Sequence, residues 1–369
     1  MKIIQTLDTL GRGGAEIQVL DICRNAASNG LDMIFVCFGD GPLKDEFRKL
    51  DIPFIHIQRR LPVDLNLINK LRNIIKSNKV DIVHSYQPVE GIHAYLATLG
   101  SNVKRVLSFQ GFIQDEKNRL AAKFLIPRVH ANIVASNGLK QWLKNSARLD
   151  VETNFHLIYN GADPKRILTE NPSLRKELNI DDDEMLIGMI GNFYSDPRKD
   201  QMTICKSLPR VLSEIPKVRC VFVGRVEKGA ERKFNECIEF CSSKGISDKV
   251  HFLGPRNDIP EVLASLDLFV FSSLHEGLPL AVSEAMLAGI PTILSDIPPL
   301  LEMSENGRYA AIFQTQNESD LANKVIELLK NKERRILLSN EAKKFALQNF
   351  SICAHLEKLK LLYSQILSS

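Results

Sequence analysis

No stretch of the 369-residue chain approaches the ~18 uncharged apolar residues of a membrane-spanning helix, so no spanning segment is expected. The first residues, Met1 to Asp8, meet a charge too soon for a signal peptide and offer no cleavage site, and read as a strand that begins the fold. Cysteine is too sparse and scattered for a disulfide framework. The seven residues, an odd number, lie mostly in apolar segments and read as reduced core thiols of a cytoplasmic protein. Cys237 and Cys241 stand four apart on an expected helix, but no second Cys/His pair has a suitable spacing, so no metal site is expected. No Gly-x-Gly-x-x-Gly fingerprint and no Gly-Lys-Ser/Thr phosphate loop occurs. No Ser/His/Asp or Cys/His grouping has motif support; His56, His130, His156 and His355 are isolated and read as structural. No Asp-x-Asp pair follows a strand, and Asp181-Asp182-Asp183 reads as a solvated run. Internal repeats are absent, which excludes a solenoid. Basic residues are not interleaved with aromatics, and no nucleic-acid partner is expected.

What remains is an alternation of apolar runs and helical patterns. The length exceeds one ordinary core, so two domains are expected. Strands are expected at Lys2–Leu7, Met33–Phe38, Pro53–Ile57, Ile82–Ser85, Val106–Phe109, Ala131–Ala135 and His156–Ile158, with helical patterns such as Glu16–Asn29 and Leu65–Asn78 between them. A polar, proline-interrupted stretch from Pro164 to Asp183 reads as a junction. The pattern then restarts, with strands at Met185–Ile190, Arg219–Val223, Val250–Phe252, Leu268–Phe271, Thr292–Leu294 and Ala310–Phe313. Near-continuous Val/Ile/Leu strands alternating with helices indicate doubly wound parallel sheets covered on both faces. The expected division is residues 1–165, residues 166–350, and an amphipathic C-terminal helix in 351–369 that packs back toward the first domain. Two such domains facing each other leave a central cleft, a favoured ligand position.

Residues 267–296 carry the most chemistry. A buried strand, Leu268 to Phe271, runs into a polar loop with two carboxylates eight residues apart, Glu276 and Glu284. Gly277 permits a tight backbone and Pro279 suits a first helical turn. The helix stops at Gly289, and another apolar strand follows. Both acids therefore lie where a parallel strand hands over to a helix, the edge at which open α/β sheets bind ligands. The helix N-terminus offers backbone N–H groups and a positive dipole end to phosphate. The carboxylates would repel phosphate and are assigned to hydroxyl groups.

Other strand ends could contribute. Gly11, Gly13 and Gly14 precede a helix in an arrangement compatible with phosphate or with an ordinary turn. Arg198 and Lys199 follow Gly191-Asn192 just ahead of another helix; they are solvated surface or a means of neutralising a diphosphate. His84, Gln110 and Asn160 each follow a strand, and His84 is either a satisfied structural histidine or a substrate contact. The loops at Gly224-Arg225 and at Leu253 to Asp258, with Gly254 and Arg256, could pack their backbone around a flat base. Charge is unevenly spread: residues 1–165 hold 22 Lys and Arg against 16 Asp and Glu, and the remainder 26 against 28. The basic excess, including Lys117, Arg119, Lys123 and Arg128, is solvated surface or a face for an anionic membrane or acidic acceptor.

Taken together, these residues resemble the retaining, nucleotide-sugar-dependent glycosyltransferases of family 4, which have the GT-B fold of two Rossmann-like domains. The resemblance rests on Leu7 to Glu16, Asp81 to Ser85, Asn160 to Asp163, Leu253-Gly254, Ala264 to Asp267, and Glu276-Gly-Leu-Pro through Glu284-Ala-Met, Gly289-Ile-Pro, Ser295-Asp296 and Glu302. It implies that Glu284 binds the ribose hydroxyls and Glu276 the donor sugar. It places the backbone of Gly277, Leu278, Pro279 and Leu280 near sugar and diphosphate. Lys199 would pair with the diphosphate, which Gly14 would let approach. The chain departs from the family at Asn192, where an arginine is frequent, and at Gln110, where a histidine is frequent.

The resemblance implies transfer of a hexose or N-acetylhexosamine from a nucleotide diphosphate sugar, with UDP the expected carrier, with retention and without a metal or other cofactor. The acceptor would be a glycan or lipid-linked molecule of bacterial surface polysaccharide assembly, met in the cytoplasm or at the inner face of the membrane. Alternatives are a GDP-mannose-using mannosyltransferase, a GT-B epimerase or phosphorylase, and a non-catalytic nucleotide-sugar-binding subunit.

Overall fold

The computed structural model describes residues 1–113, 115–169 and 173–369. They form two compact units, Met1–Ala162 with Asn349–Ser369, and Asp163–Gln348. The first unit holds a seven-stranded sheet: β1 (Lys2–Leu7), β2 (Asp32–Cys37), β3 (Phe54–His56), β4 (Ile82–Ser85), β5 (Lys104–Phe109), β6 (Ala131–Val134) and β7 (Phe155–Leu157). The second holds six strands: β8 (Met185–Ile190), β9 (Val218–Val223), β10 (Val250–Phe252), β11 (Leu268–Phe271), β12 (Thr292–Ser295) and β13 (Ala311–Phe313). Their orders are β3-β2-β1-β4-β5-β6-β7 and β10-β9-β8-β11-β12-β13, with parallel pairing throughout. Each order reverses direction once, at β1/β4 and at β8/β11. The neighbouring loops diverge there and leave a crevice at the strands' C-terminal ends.

The strands are apolar on both faces because both faces are covered. In β1, Ile3 and Leu7 join one cluster with Val19, Leu20 and Ile22 of the helix Gly14–Asn25. Ile4 joins another with Leu67, Ile68, Leu71 and Ile75 of the helix Leu65–Ser77. That second helix begins where Asp64 accepts from Asn66 N and Leu67 N, at 3.0 and 3.1 Å, which satisfies two otherwise orphaned donors.

The boundaries differ from the expected ones at both crossings. Ala162 pairs with Ser351, Ala162 N donates to Phe350 O at 2.9 Å, and Ile352 N donates to Ala162 O at 2.8 Å. Gly161 backs directly onto this crossing: a Cβ there would lie 2.7 Å from Ser351 O. The chain therefore changes unit at 162/163 and again at 348/349. The expected junction, Pro164 to Asp183, is not a free linker, although its residues 170–172 lie outside the described ones. Ile167 and Leu174 are buried, and Arg175 donates to Ser265 O and Glu184 O and pairs with Asp267, all within the second unit.

The C-terminal helix Ile352–Ser368 belongs to the first unit. Ile352, Leu356, Leu359, Tyr363 and Ile366 fall on one helical face and enter the cluster around β1 and β2. Burying each such side chain contributes roughly 1.5–3 kcal/mol, enough to fix this late segment on the early sheet.

Six of the seven cysteines are buried free thiols, and Cys353 is exposed. Cys237 and Cys241 face Cys205 across adjacent helices. No helix among the described residues is long and apolar enough to cross a membrane.

Candidate functional site

At the β8/β11 reversal the loops after the two strands are stitched together. Lys199 and Ser273 form an antiparallel bridge, Leu274 N donates to Arg198 O at 2.8 Å, and Asp200 N donates to Ser272 O at 3.1 Å. Side chains repeat the link. Lys199 Nζ donates to Glu276 Oε1, and Ser273 Oγ lies within hydrogen-bond distance of both Glu276 Oε1 and the Arg198 carbonyl. Lys199 also lies over the Phe271 ring, 4.2 Å from its centroid. The pair is buried, with about a tenth of each side chain exposed. Burial lowers the Lys199 pKa below the ordinary lysine value, and Glu276 pulls it back up. A cation and a carboxylate are thus held together at the crevice, where low polarity strengthens any charge they meet.

Gly277, Leu278 and Pro279 lead, buried, into the helix Leu280–Ala288. Pro279 occupies the N-cap position rather than the first turn, and no side chain caps the helix. Its opening N–H groups face the site as potential anion donors. The helix ends at Gly289, whose φ of +79° is the left-handed cap that glycine accepts readily. Glu284, one turn into this helix, is buried, and its Oε1 accepts from Arg166 Nη2 at 2.7 Å. Glu276 and Glu284 therefore sit at one strand–helix handover, each paired with a cation.

Several expected donor contacts are engaged elsewhere. Arg198 Nε and Nη2 grip the Asp196 carboxylate at 2.7 to 3.0 Å, and its guanidinium lies 4.2 Å from the Tyr194 ring. Its charge is therefore compensated within its own loop, and Asp196 raises its pKa. Asn192 Nδ2 donates to Glu227 Oε1 at 3.1 Å, and Asn192 Oδ1 accepts from Arg225 N at 2.9 Å. The amide thus braces the loop after β9 instead of standing open. Arg256 bridges Glu177 and Asp258, and those carboxylates raise its pKa. Gly254 adopts φ +65° and its carbonyl accepts from Gly224 N at 2.9 Å, so this turn serves the backbone between the two loops.

In the first unit, Gly13 is the N-cap of the helix beginning at Gly14. The Glu16 carboxylate folds back over this turn: a Cβ on Gly13 would lie 2.7 Å from Glu16 Oε2. An incoming phosphate would have to displace it. His84 has both ring nitrogens engaged within the first unit. It is buried, Nδ1 pairs with Tyr363 Oη at 2.6 Å and Nε2 with Ser108 Oγ at 2.7 Å. Burial pushes its pKa down to about 3, which keeps it neutral. Asn160 is buried beside the crossing at Ala162, and Gln110 keeps a buried Oε1 with no partner among the described residues. Sequence reading passed over Arg166, Ser273, Tyr363 and the buried Glu90, whose carboxyl pKa is raised by burial. Arg166 lies 118 residues from Glu284, so no local pattern links them.

Two doubly wound units, with paired buried carboxylates at the reversal point of the second, define a GT-B architecture. A model of the glycosyl transferases group 1 matches residues 170–345, and one of glycosyltransferase family 4 matches residues 12–166. The chain is thus a family-4-like glycosyltransferase of GT-B fold, its first half matching the one model and its second half the other. It is similar to the UDP-Gal:alpha-D-GlcNAc-diphosphoundecaprenol alpha-1,3-galactosyltransferase of Escherichia coli, at 25% identity over 350 residues, covering 90% of this chain and 88% of that protein. It is also similar to the N-acetyl-alpha-D-glucosaminyl L-malate synthase of Bacillus anthracis, at 24% identity over 83% of this chain and 80% of that protein. Among solved structures it matches Anabaena Alr3699/HepE in complex with UDP and glucose, with a TM-score of 0.86 and 21% identity over 99% of this chain and 100% of that one.

The neutral burial of His84 has a pH signature. Between the ordinary imidazole value and about 3, the unfolded chain binds a proton that the folded chain refuses. Stability is therefore lost as pH falls through that window. The stability advantage of wild type over His84→Gln should shrink by about 2 kcal/mol between pH 7 and pH 5, measured by urea unfolding. A gap that stays constant with pH would contradict a neutral buried imidazole.

Proposed function

We propose that the chain transfers a hexose or N-acetylhexosamine from a UDP-sugar, with retention at the anomeric carbon, to a glycan or lipid-linked acceptor of bacterial surface polysaccharide assembly. The observation that carries this reading is the pair Glu276 and Glu284 at one strand–helix handover, with Lys199 on the first acid and an uncapped helix start between them. Carboxylates suit ribose and sugar hydroxyls; the lysine and the helix start suit a diphosphate. The naming of UDP in the Anabaena complex and of a lipid-diphosphate sugar acceptor in the Escherichia coli relative supports the choice of substrates.

Reaction breaks the bond between the anomeric carbon and the diphosphate oxygen and forms one from the acceptor oxygen on the same face. The acceptor proton passes to the departing phosphate oxygen, and UDP leaves. No protein nucleophile is required; catalysis rests on positioning and on charge stabilisation of the leaving group. Lys199 supplies that charge, and donor binding exchanges its partner from Glu276 to the diphosphate, so no metal is needed. Glu284→Ala should weaken UDP binding by about 3 kcal/mol, roughly a hundredfold, because bonds to a charged carboxylate are lost. Calorimetric titration checks this, and an unchanged Kd would refute the ribose role. Wild-type transfer should persist in EDTA; activity lost there and restored by a divalent cation would refute the metal-free route.

The acceptor is assigned to the first unit. At its β1/β4 reversal lies a cavity of about 610 Å³, lined by Asp8, Arg59, Arg60, Leu61, Lys117 and Asn118 among others. Asp8 Oδ2 accepts from Arg59 Nη2 at 2.7 Å, while Asp8 Oδ1 and Arg59 Nη1 are buried with no partner among the described residues. A sugar hydroxyl, which both donates and accepts, satisfies both atoms. Arg59→Ala should raise the acceptor KM about tenfold and leave the donor KM unchanged, since one charge-assisted bond is removed. A change confined to the donor KM would contradict the assignment.

A further inference from the structure

The two donor-site acids differ in the cation each has been given. Glu276 meets a lysine: a point charge on a flexible stem, held by a ring contact and one hydrogen bond, and free to turn toward another anion. Glu284 meets an arginine, whose planar guanidinium keeps its charge and loses little freedom on binding. The backbone beneath that arginine is also fixed. Arg166 lies in the single-turn helix Pro164–Ile167, which starts with a proline and is capped by Asp163 Oδ1, accepting from Lys165 N at 2.9 Å. Ile167 anchors the turn with 1% exposure, and the turn packs against the helices Leu280–Ala288 and Ile259–Ser265 of the same unit. Both partners are well covered, with 19% of the Arg166 side chain and 8% of the Glu284 side chain exposed.

A buried carboxylate needs a counter-charge to remain an anion, and an anion accepts more strongly from hydroxyl groups than a neutral acid does. Its two oxygens offer about four acceptor directions, of which the arginine N–H takes one, on Oε1. We propose that Arg166 is a positioning residue for the donor nucleotide: it stays on Glu284 when the donor binds, fixing the carboxylate's charge and orientation so that it grips the ribose hydroxyls. This rests on the assignment of Glu284 to the ribose. It adds a residue from the first turn of the second unit, 118 positions away from the acid it serves. The two pairs then divide the work, Lys199 moving to the leaving group and Arg166 remaining in place.

The test compares UDP with 2′,3′-dideoxy-UDP, which keeps the base and diphosphate but lacks the ribose diol. Affinities are measured by calorimetry on the full chain as wild type, Arg166→Ala, Arg166→Lys and Glu284→Gln. Wild type should prefer UDP. Arg166→Ala should lower UDP affinity about tenfold while leaving dideoxy-UDP nearly unaffected, and Arg166→Lys should fall between, since lysine keeps the charge without the fork. A purely structural role, or direct contact between Arg166 and the diphosphate, would weaken both ligands equally and overturns the proposal. An Arg166→Ala protein that binds UDP as well as or better than wild type would make the arginine a plug expelled by the donor, and also overturns it. If Glu284→Gln erases the preference for UDP and Arg166→Ala does not, the arginine's role alone falls. If Glu284→Gln keeps the preference, the ribose assignment falls and takes this inference with it.

Discussion

The contact between Lys199 and Glu276 is the constraint on which the second unit's site depends. It joins the loops that follow β8 and β11, the two adjacent strands between which the sheet reverses its order. Parallel pairing brings those loops to the same edge, and the backbone bridge between Lys199 and Ser273 aligns them. Without the ion pair, the buried ammonium would lie over Phe271 and the buried carboxylate would keep its Ser273 contact but lose its counter-charge, a costly arrangement for either. The lysine and the carboxylate therefore neutralise each other at the crevice.

The same logic extends along the helix Leu280–Ala288. Its N-terminal turn is uncapped while its body carries Glu284, so donors and an acceptor lie less than two turns apart on one element. A diphosphate and a diol present the complementary pattern. Around this core, Arg198, Asn192 and Arg256 are committed to Asp196, Glu227 and a Glu177–Asp258 pair. They stiffen the loops that frame the site. An arginine is frequent in the family where Asn192 stands; here that position braces the loop after β9, and Lys199 is the cation paired with Glu276.

Much of the fold was legible from sequence. Strands such as Lys2–Leu7, Met185–Ile190, Val250–Phe252 and Leu268–Phe271 fall where their apolar runs place them, because a parallel strand buried on both faces cannot avoid such a run. The strand–loop–helix segment holding Glu276 and Glu284 was legible for a similar reason: its glycine, proline and apolar punctuation is local. What sequence could not supply was partnership. Whether Arg198 is free depends on Asp196 turning toward it, and whether His84 is reachable depends on Tyr363, 279 residues away. Arg166 was invisible because its partner lies on another element. The return of the last helix to the first sheet was legible as an amphipathic pattern; the crossings at 162/163 and 348/349 depend on backbone pairing that no side-chain pattern reveals.

A crystal structure with UDP bound bears most directly on the donor assignment. The ribose hydroxyls should lie about 2.7 Å from the Glu284 carboxylate, and Lys199 Nζ should have moved from Glu276 to a diphosphate oxygen. A nucleotide whose ribose faces away from Glu284, with Lys199 still on Glu276, would contradict it.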